Sequence, residues 1–205
     1  MNLDFIKQNT ENTDESLMAS FKEGSEDAFQ ILFDRYTAHI INFAYRIIGS
    51  QEESEDVAQD VFLRIYKSKE RYDEDRPFKP WIFTIASRLI SNHIRFKKRH
   101  PEESLDWTTE ESEGDSKNPD LVDGSAPLPH ESLEKQELKN SVQRALEELP
   151  ENQRTAVLLA RFEEMSYEEI SEAMDLSAAS VKSLLFRARQ SLKRSLLPFV
   201  SEKEK

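Results

Sequence analysis

The chain has 205 residues, of which 37% are hydrophobic and 33% are charged, and its formal net charge is −12. Cysteine is absent and only four glycines are present, which excludes disulfides and thiolate metal sites and favours helices. This length suits one ordinary domain or two small ones. The chain lacks both the roughly 20-residue apolar stretch of a membrane span and the basic start and apolar run of a signal peptide. We therefore expect an all-α, soluble, cytoplasmic protein without direct membrane insertion.

The negative charge is concentrated in one segment. Residues 101–130 hold nine acids and one lysine, whereas residues 1–100 and 131–205 each have a net charge of only −2. Basic residues are clustered too: seven of them and no acid lie between Arg76 and Arg99, and five and no acid between Leu176 and Val200. Because screening limits electrostatic attraction to about 10 Å, phosphate binding depends on local charge. Two stretches of the chain are therefore suited to nucleic acid.

Four helices are predicted between residues 14 and 100, because apolar residues recur there at three- and four-residue spacings. They cover residues 14–22, 25–48, 50–69 and 80–99, with a polar loop before the last of them. Ser50 and Glu53 form the Ser-x-x-Glu pattern of a capping box. We expect these two side chains to cap the third helix reciprocally.

Residues 101–130 contain four prolines, many acids and little apolar periodicity. Such a segment cannot bury enough apolar surface to offset the entropy lost on ordering. We predict a flexible, disordered acidic linker at 101–130, which joins a four-helix N-terminal domain at 14–100 to a four-helix C-terminal domain at 131–200.

The last two helices of the C-terminal domain have the pattern of a helix-turn-helix. Ser166 and Glu169 form a second capping box, a short helix follows at 167–174, and Ser177 caps the final helix, which is predicted to reach about Leu197. The apolar residues occupy the spacings that packing of the two helices requires; they are Ile170, Met174, Leu176, Val181, and Leu184 or Leu185. The turn has Asp175 where glycine is usual.

Packing of that inner face leaves an acid-free outer face on the final helix, formed by Ala179, Lys182, Ser183, Phe186, Arg187 and Gln190. Small residues at its N-terminal end let a backbone approach the major groove, and we predict that this face binds DNA. An ordinary helical hairpin with solvated basic residues is the alternative interpretation.

Two further surfaces allow more than one interpretation. The stretch 76–99 interleaves basic residues with aromatic ones, a combination that suits single-stranded nucleic acid, although the aromatic residues also fit a protein core and the last cations a helix C-terminus. The third helix carries acids (Glu52, Glu53, Glu55, Asp56 and Asp60) that indicate either a solvated face or a surface for a basic protein partner.

Four stretches, in order, resemble the extracytoplasmic-function group of the sigma-70 family, the dissociable specificity subunits of bacterial RNA polymerase. They read AFQILFDRY, EDVAQDVFLRIYK, RPFKPWIFTIASRLISNHIR and LPENQRTAVLLARFEEMSYEEISEAMDLSAASVKSLLFRARQSLK. The resemblance runs from about Asp14 to Leu197. It implies that the two domains correspond to sigma regions 2 and 4, and that the chain directs core RNA polymerase to promoters.

The resemblance also implies roles for particular residues. The docking set, which would contact the clamp coiled coil of the largest polymerase subunit, is Asp56, Gln59, Asp60, Phe62 and Arg64. The minus-ten set, which would melt and read the minus-ten element together with the loop 68–79, is Arg76, Lys79, Arg88, Asn92, Arg95 and Lys97. The minus-thirty-five set, on the outer face of the final helix, is Ala179, Lys182, Ser183, Phe186, Arg187, Arg189 and Gln190.

Further partners follow from the same resemblance. They are the flap of the second-largest polymerase subunit, promoter DNA and an anti-sigma factor; the acidic linker is expected to thread a positively charged polymerase channel. The family often has asparagine in place of Arg88 and arginine in place of Leu184, so promoter preference does not transfer from relatives.

Other functional classes fit the sequence less well. Catalysis, a cofactor, a metal and a small-molecule substrate are not expected, because the chain has no Gly-rich phosphate loop and its four histidines are scattered. A stand-alone helix-turn-helix regulator is the alternative function. Such a protein usually pairs its helix-turn-helix with a sensing or dimerising domain, whereas the first half of this chain has a basic-aromatic element instead.

Overall fold

The computed structural model describes residues 13–100, 138 and 140–201, with side chains described up to Leu197. The described ranges contain helices and no strand, which confirms the all-α prediction. The helices are α1 (Asp14–Lys22), α2 (Glu26–Ile48), α3 (Gln51–Ser68), α4 (Phe78–Arg99), α5 (140–147), α6 (Glu151–Arg161), α7 (Tyr167–Met174) and α8 (Ala178–Ser201), with a 3-10 turn at Lys69–Arg71. The predicted linker, 101–130, and the predicted start of the C-terminal domain lie outside the described residues.

Side-chain caps set most helix starts. The Ser25 hydroxyl accepts from the Ala28 amide at 3.3 Å at the start of α2, and Gly49 ends that helix with a φ of 83°, in the left-handed region that glycine adopts without strain. Helix α4 starts two residues before its predicted position. Its N-cap, Pro77, supplies no side-chain hydrogen bond, and Glu15 of α1 instead accepts from the Phe78 amide at 3.0 Å. A tertiary contact therefore determines this boundary.

The first four helices enclose one apolar core. Its largest buried side chains include Phe21, Leu32, Ile40, Phe78 and Phe83. Trp81 is half-buried, and its ring lies 5.0 Å from that of Tyr72. This packing fixes α4 against α2 and α3 and determines which of its faces remains outside.

Helices α5 to α8 form a second group, with Leu158, Leu159, Ile170, Val181 and Leu185 buried between them. The two groups do not stand apart: α7 lies against α4, α6 touches α2, and their buried residues belong to one continuous apolar cluster. The sequence pattern predicts two domains but contains no signal for this contact.

Candidate nucleic-acid interface

The helix-turn-helix at α7 and α8 is built as its sequence predicts. The Ser166 hydroxyl accepts from the Glu169 amide at 3.2 Å, and the Glu169 carboxylate accepts from the Ser166 amide at 2.7 Å, so the predicted capping box is confirmed. In the turn, Asp175 has φ 55° and ψ 48°, the left-handed conformation that glycine adopts in many such turns. The Ser177 hydroxyl then accepts from the Ser180 amide at 3.2 Å.

Helix α8 separates its residues into two faces. Val181, Leu185 and Ala188 are buried, and Leu184 is half-buried against the core. All members of the minus-thirty-five set are exposed except Ser183, which is half-buried. Phe186 is 64% exposed, which is unusual for a phenylalanine. The outer face is therefore accessible along its whole length.

Helix α4 and the loop before it hold the minus-ten set. Arg76, Arg88, Asn92 and Arg95 are exposed. The exposed ring of Phe96 stacks on His100 with centroids 4.5 Å apart, so aromatic surface accompanies the cations near the end of α4. Cations beside an exposed ring are suited to a single strand, since phosphates and bases are contacted together.

Two members of the minus-ten set, Lys97 and Lys79, are half-buried and paired with acids. Lys97 Nζ lies 2.5 Å from Glu53 Oε1, and His93 Nε2 lies 3.1 Å from the other oxygen of that carboxylate. Burial raises the pKa of Glu53, but hydrogen bonds from Lys97 and His93 outweigh it and hold that pKa below its usual value. Lys79 is half-buried and points at the other half of the chain.

The same contacts correct one prediction. Ser50 accepts from the Glu53 amide, as expected, but the reciprocal half of the capping box is absent because the Glu53 carboxylate turns to α4 and binds Lys97 and His93. A residue that the sequence analysis assigned to local capping therefore connects α3 to the candidate DNA-binding helix.

The docking set divides between surface and core. Asp56, Gln59, Asp60 and Arg64 are exposed on α3. Phe62 is only 4% exposed, and its ring lies 4.6 Å from that of Phe33, so it supports the surface from beneath and is not part of it. Leu63 is an apolar residue on α3 that is 48% exposed, and sequence reasoning missed it. The sequence could have indicated it, because Leu63 is apolar but follows directly after the inward-facing Phe62.

The candidate DNA-binding surface of α4 meets the helix-turn-helix directly. Lys79 Nζ donates to the carbonyl of Glu163 at 2.5 Å, Thr84 Oγ1 donates to the carbonyl of Glu172 at 3.4 Å, and Arg88 Nη2 lies 3.9 Å from Asp175 Oδ2. Sequence reasoning missed Glu163, which is a buried acid. Acid-rich composition around α7 was the one available hint.

The described residues contain no group of three or more His, Asp or Glu side chains placed to hold a metal ion. Among the described helices, none combines the length and the apolar character that crossing a membrane requires.

Two family models match the chain. Residues 32–100 match "Sigma-70 region 2", and residues 139–192 match "Sigma-70, region 4". The chain is 31% identical to the RNA polymerase sigma-H factor of Pseudomonas aeruginosa, over 94% of this chain and 98% of that protein. It is 33% identical to the ECF RNA polymerase sigma factor SigW of Bacillus subtilis, over 85% of this chain and 92% of that protein.

Two solved structures are similar at a TM-score of 0.63 each. One is CnrH in complex with the cytosolic domain of CnrY, at 23% identity over 90% of this chain and 97% of that one. The other is the sigma factor RpoE in complex with the anti-sigma factor NepR from Bartonella quintana, at 22% identity over 82% and 96%. At 23% and 22% identity, the similarity is evidence for a shared fold alone.

Proposed function

Because the chain belongs to the extracytoplasmic-function group of the sigma-70 family of RNA polymerase sigma factors, we propose that it binds core RNA polymerase, directs it to specific promoters and helps melt the minus-ten element. The observation that carries this proposal is the pair of acid-free basic surfaces, on α4 and on α8, each built on a region that matches the family. Two such surfaces are suited to the two separate elements of a promoter.

The minus-thirty-five element would be bound by the outer face of α8. Its exposed Lys182, Arg187 and Arg189 supply phosphate and base contacts, and exposed Phe186 supplies an apolar contact for a thymine methyl group. The capping box at Ser166 and the left-handed turn at Asp175 hold α8 at a fixed angle to α7. This rigid placement is what major-groove reading requires.

The minus-ten element would be bound by α4 and the loop before it. Arg88, Asn92 and Arg95 offer exposed polar groups, and Phe96 with His100 offers a stacking surface beside them. An unpaired base costs a few kcal/mol of unstacking, which such a surface offsets in part. Melting thus requires only that the surface bind the open strand more tightly than the duplex.

The polymerase contact would be made by α3. Asp56, Gln59 and Asp60 form an acidic, exposed stretch there, with Leu63 beside it. A mixed acidic and apolar patch is suited to a basic protein surface, and we assign it to the clamp coiled coil of the largest subunit. An anti-sigma factor is the second partner that we propose, since the fold is shared with a sigma factor solved with such a protein.

The test is reconstituted transcription. Purified chain is added to core polymerase on a genomic promoter library, and promoter-specific transcripts are expected to depend on the chain. Asp60→Arg is expected to abolish core binding in a pull-down assay, whereas Asp34→Arg, at an exposed acid on α2, keeps it.

Two outcomes would count against the proposal. The first is the absence of a specific transcript with the unmodified chain. The second is a chain that shifts double-stranded operator DNA tightly without polymerase, as a stand-alone helix-turn-helix regulator does.

A further inference from the structure

A cleft of about 470 Å³ opens where the C-terminal ends of α2 and α4 meet the start of α6. Its apolar walls are formed by Ile47, Ile48, Ile94, Leu149 and Pro150. Ligand sites commonly have this size and combine apolar walls with a few charged groups. The cleft includes no member of the docking set or the minus-thirty-five set and only Lys97 of the minus-ten set, so the proposed function leaves it unassigned.

The walls of this cleft carry more cations than acids. Lys97 and Lys98 of α4 and Arg154 of α6 line it, together with a single acid, Glu151. Lys97 is already shared with Glu53, at 2.5 Å. Lys98 and Arg154 therefore face one lining acid. Their charges attract an anion into a partly apolar space, where electrostatic attraction is stronger than in bulk water.

Lys98 is the cation that remains available to a ligand. Its side chain is exposed, and within the part of the chain that the structure describes it has no hydrogen bond and no ion pair. The flexible stem of a lysine lets its ammonium follow a bound group. An anion in the cleft would therefore meet an unoccupied ammonium and would not have to displace a carboxylate from it.

Arg154 adds a positive charge that its hydrogen bonds do not neutralise. Its Nη1 donates to the carbonyl of Ile47 at 3.0 Å, and its Nη2 donates to the carbonyl of Leu149 at 3.4 Å. Both acceptors are uncharged, and an arginine remains protonated in a protein. The same contacts hold Arg154 in place beside the apolar walls, so the charge is fixed before any ligand arrives.

The start of α6 favours an anion as well. Pro150, its N-cap, supplies no side-chain hydrogen bond, and the dipole of the helix places partial positive charge at this end. The lining acid is engaged with α4, because Glu151 Oε1 accepts from Ser91 Oγ at 2.8 Å. The cations, the helix start and the apolar walls therefore point to one kind of ligand.

We propose that this cleft is a binding site for a small amphipathic anion, a carboxylate or a phosphate monoester attached to an apolar body. The head group would be bound by Lys98 and the start of α6, and the body would cover Ile48 and Ile94. An inorganic anion gains nothing from the apolar walls, and an apolar molecule without charge gains nothing from the cations. The site needs neither polymerase nor DNA, so it does not rest on the proposed function.

The test uses the full chain and a fluorescent amphipathic anion, 1-anilinonaphthalene-8-sulfonate, whose emission rises in apolar surroundings. The chain is titrated with this probe at neutral pH, and competitors are then added to the complex. Octanoate and octyl phosphate are expected to displace the probe, and their relative strengths distinguish a carboxylate ligand from a phosphate ligand. Inorganic phosphate and octyltrimethylammonium are expected to leave the probe bound.

The informative variant of the charged wall is Lys98→Glu, with Arg99→Glu as its matched control. Both residues are exposed neighbours on α4 and undergo the same change of charge, but Arg99 does not line the cleft. We expect Lys98→Glu to weaken probe binding several-fold more than Arg99→Glu does.

The apolar wall has its own matched pair, Ile48→Asn and Ile41→Asn. Both isoleucines are half-buried on α2, two turns apart, and only Ile48 lines the cleft. Probe binding should weaken several-fold in Ile48→Asn and change little in Ile41→Asn. Thermal unfolding checks that each variant is folded, and the exposed Lys98 and Arg99 pair decides if an isoleucine variant does not fold.

Equal probe affinity in Lys98→Glu and Arg99→Glu overturns the inference. So does displacement by octyltrimethylammonium that matches displacement by octanoate and octyl phosphate, because apolar contact alone would then hold the ligand. Displacement by inorganic phosphate as strong as that by octyl phosphate overturns it too, since the apolar body would contribute nothing. These measurements contain no polymerase and no DNA, so their outcome is independent of whether the chain directs transcription.

Discussion

Arg154 of α6 donates a hydrogen bond from Nη1 to the carbonyl of Ile47, 3.0 Å away at the end of α2. Its Nη2 donates to the carbonyls of Glu147 and Leu149 at the end of α5. One guanidinium thus satisfies carbonyls at the C-terminal ends of two helices, one in each half of the chain. Burial lowers the pKa of Arg154, but an arginine remains charged in a protein.

Arg154→Met is expected to destabilise the chain by about 1–3 kcal/mol, because it leaves half-buried carbonyls without a donor. Equilibrium unfolding in urea measures this loss. Arg154→Lys should retain part of the stability, since an ammonium has donors but lacks the fork that reaches several carbonyls at once.

Asn152→Ala is the control for this pair of variants. Asn152 is exposed on the same helix, and a surface change of this kind alters the unfolding free energy by less than about 0.5 kcal/mol. A loss of similar size in Asn152→Ala would mean that α6 helicity, and not the arginine contacts, determines the result.

The turn of the helix-turn-helix offers a substitution that should stabilise. Asp175 adopts a left-handed backbone, with φ 55°, which costs an ordinary residue roughly 1–2 kcal/mol and glycine almost nothing. Asp175→Gly is therefore expected to raise the unfolding free energy by up to about 1 kcal/mol, and Asp175→Val to lower it, in the same urea experiment. The ion pair with Arg88 is long, at 3.9 Å, and exposed, so its loss changes the unfolding free energy only slightly.

Asp175→Asn separates the two effects. Asparagine tolerates the left-handed region as well as aspartate does, so this variant removes the charge and keeps the backbone preference. Its stability should match that of the unmodified chain. A marked loss would show that the aspartate charge matters more than the turn.

The sequence predicts those features that local rules determine. The bounds of α1 and α2, the capping box at Ser166 and the exposed face of α8 follow from cap residues and helical periodicity, which depend on neighbours a few positions away. Asp175 departs from the usual glycine of the turn, and aspartate is one of the non-glycine residues that adopt its left-handed backbone most often.

Features that depend on distant residues were not predictable in the same way. The early start of α4 depends on Glu15, 63 residues away in sequence, and the capping box at Ser50 is incomplete because Lys97 and His93 bind Glu53. Glu163 is the clearest case. Its burial arises from contacts with the other half of the chain, and an acid in an acid-rich stretch looks like any solvated residue.

The two capping sites should differ in what their serines and glutamates contribute. Ser166→Ala is expected to lower the unfolding free energy by about 1 kcal/mol through loss of the cap. Glu169→Ala is expected to lower it as well, because it removes the other hydrogen bond of the same capping box. Glu53→Ala should act elsewhere: it frees Lys97 from its 2.5 Å contact, so oligonucleotide binding is expected to tighten. Urea unfolding measures the stability of the three variants, and titration with a fluorescein-labelled, random-sequence single-stranded oligonucleotide measures binding. Weaker binding by Glu53→Ala would contradict this assignment.

Glu163 contacts His39 at 3.0 Å and Lys79 at 3.6 Å, and we call the arrangement in which these contacts join the two halves the closed state. It is expected to respond to pH through His39. The hydrogen bond to Glu163 raises the pKa of His39 above its ordinary value of 6.5, although burial and the charge of Lys79 oppose it. A group whose pKa is raised in the closed state stabilises that state fully below its ordinary pKa, and the stabilisation is lost as the pH rises through the raised value. Energy transfer between fluorophores attached at Glu23→Cys and Asn152→Cys, exposed positions in the two halves, should therefore be high at about pH 6 and fall towards about pH 8.

The groups that face His39 permit a clean control for this pH response. They are Glu163 and Lys79, together with the ring of Tyr36, whose centroid lies 6.1 Å away. Tyr36 stays neutral over this pH range, because burial raises its pKa well above the ordinary range. His39→Gln keeps a hydrogen-bond donor without a titrating ring, so its energy transfer should not change with pH. A pH dependence that persists in His39→Gln would assign the response to another group and contradict this prediction.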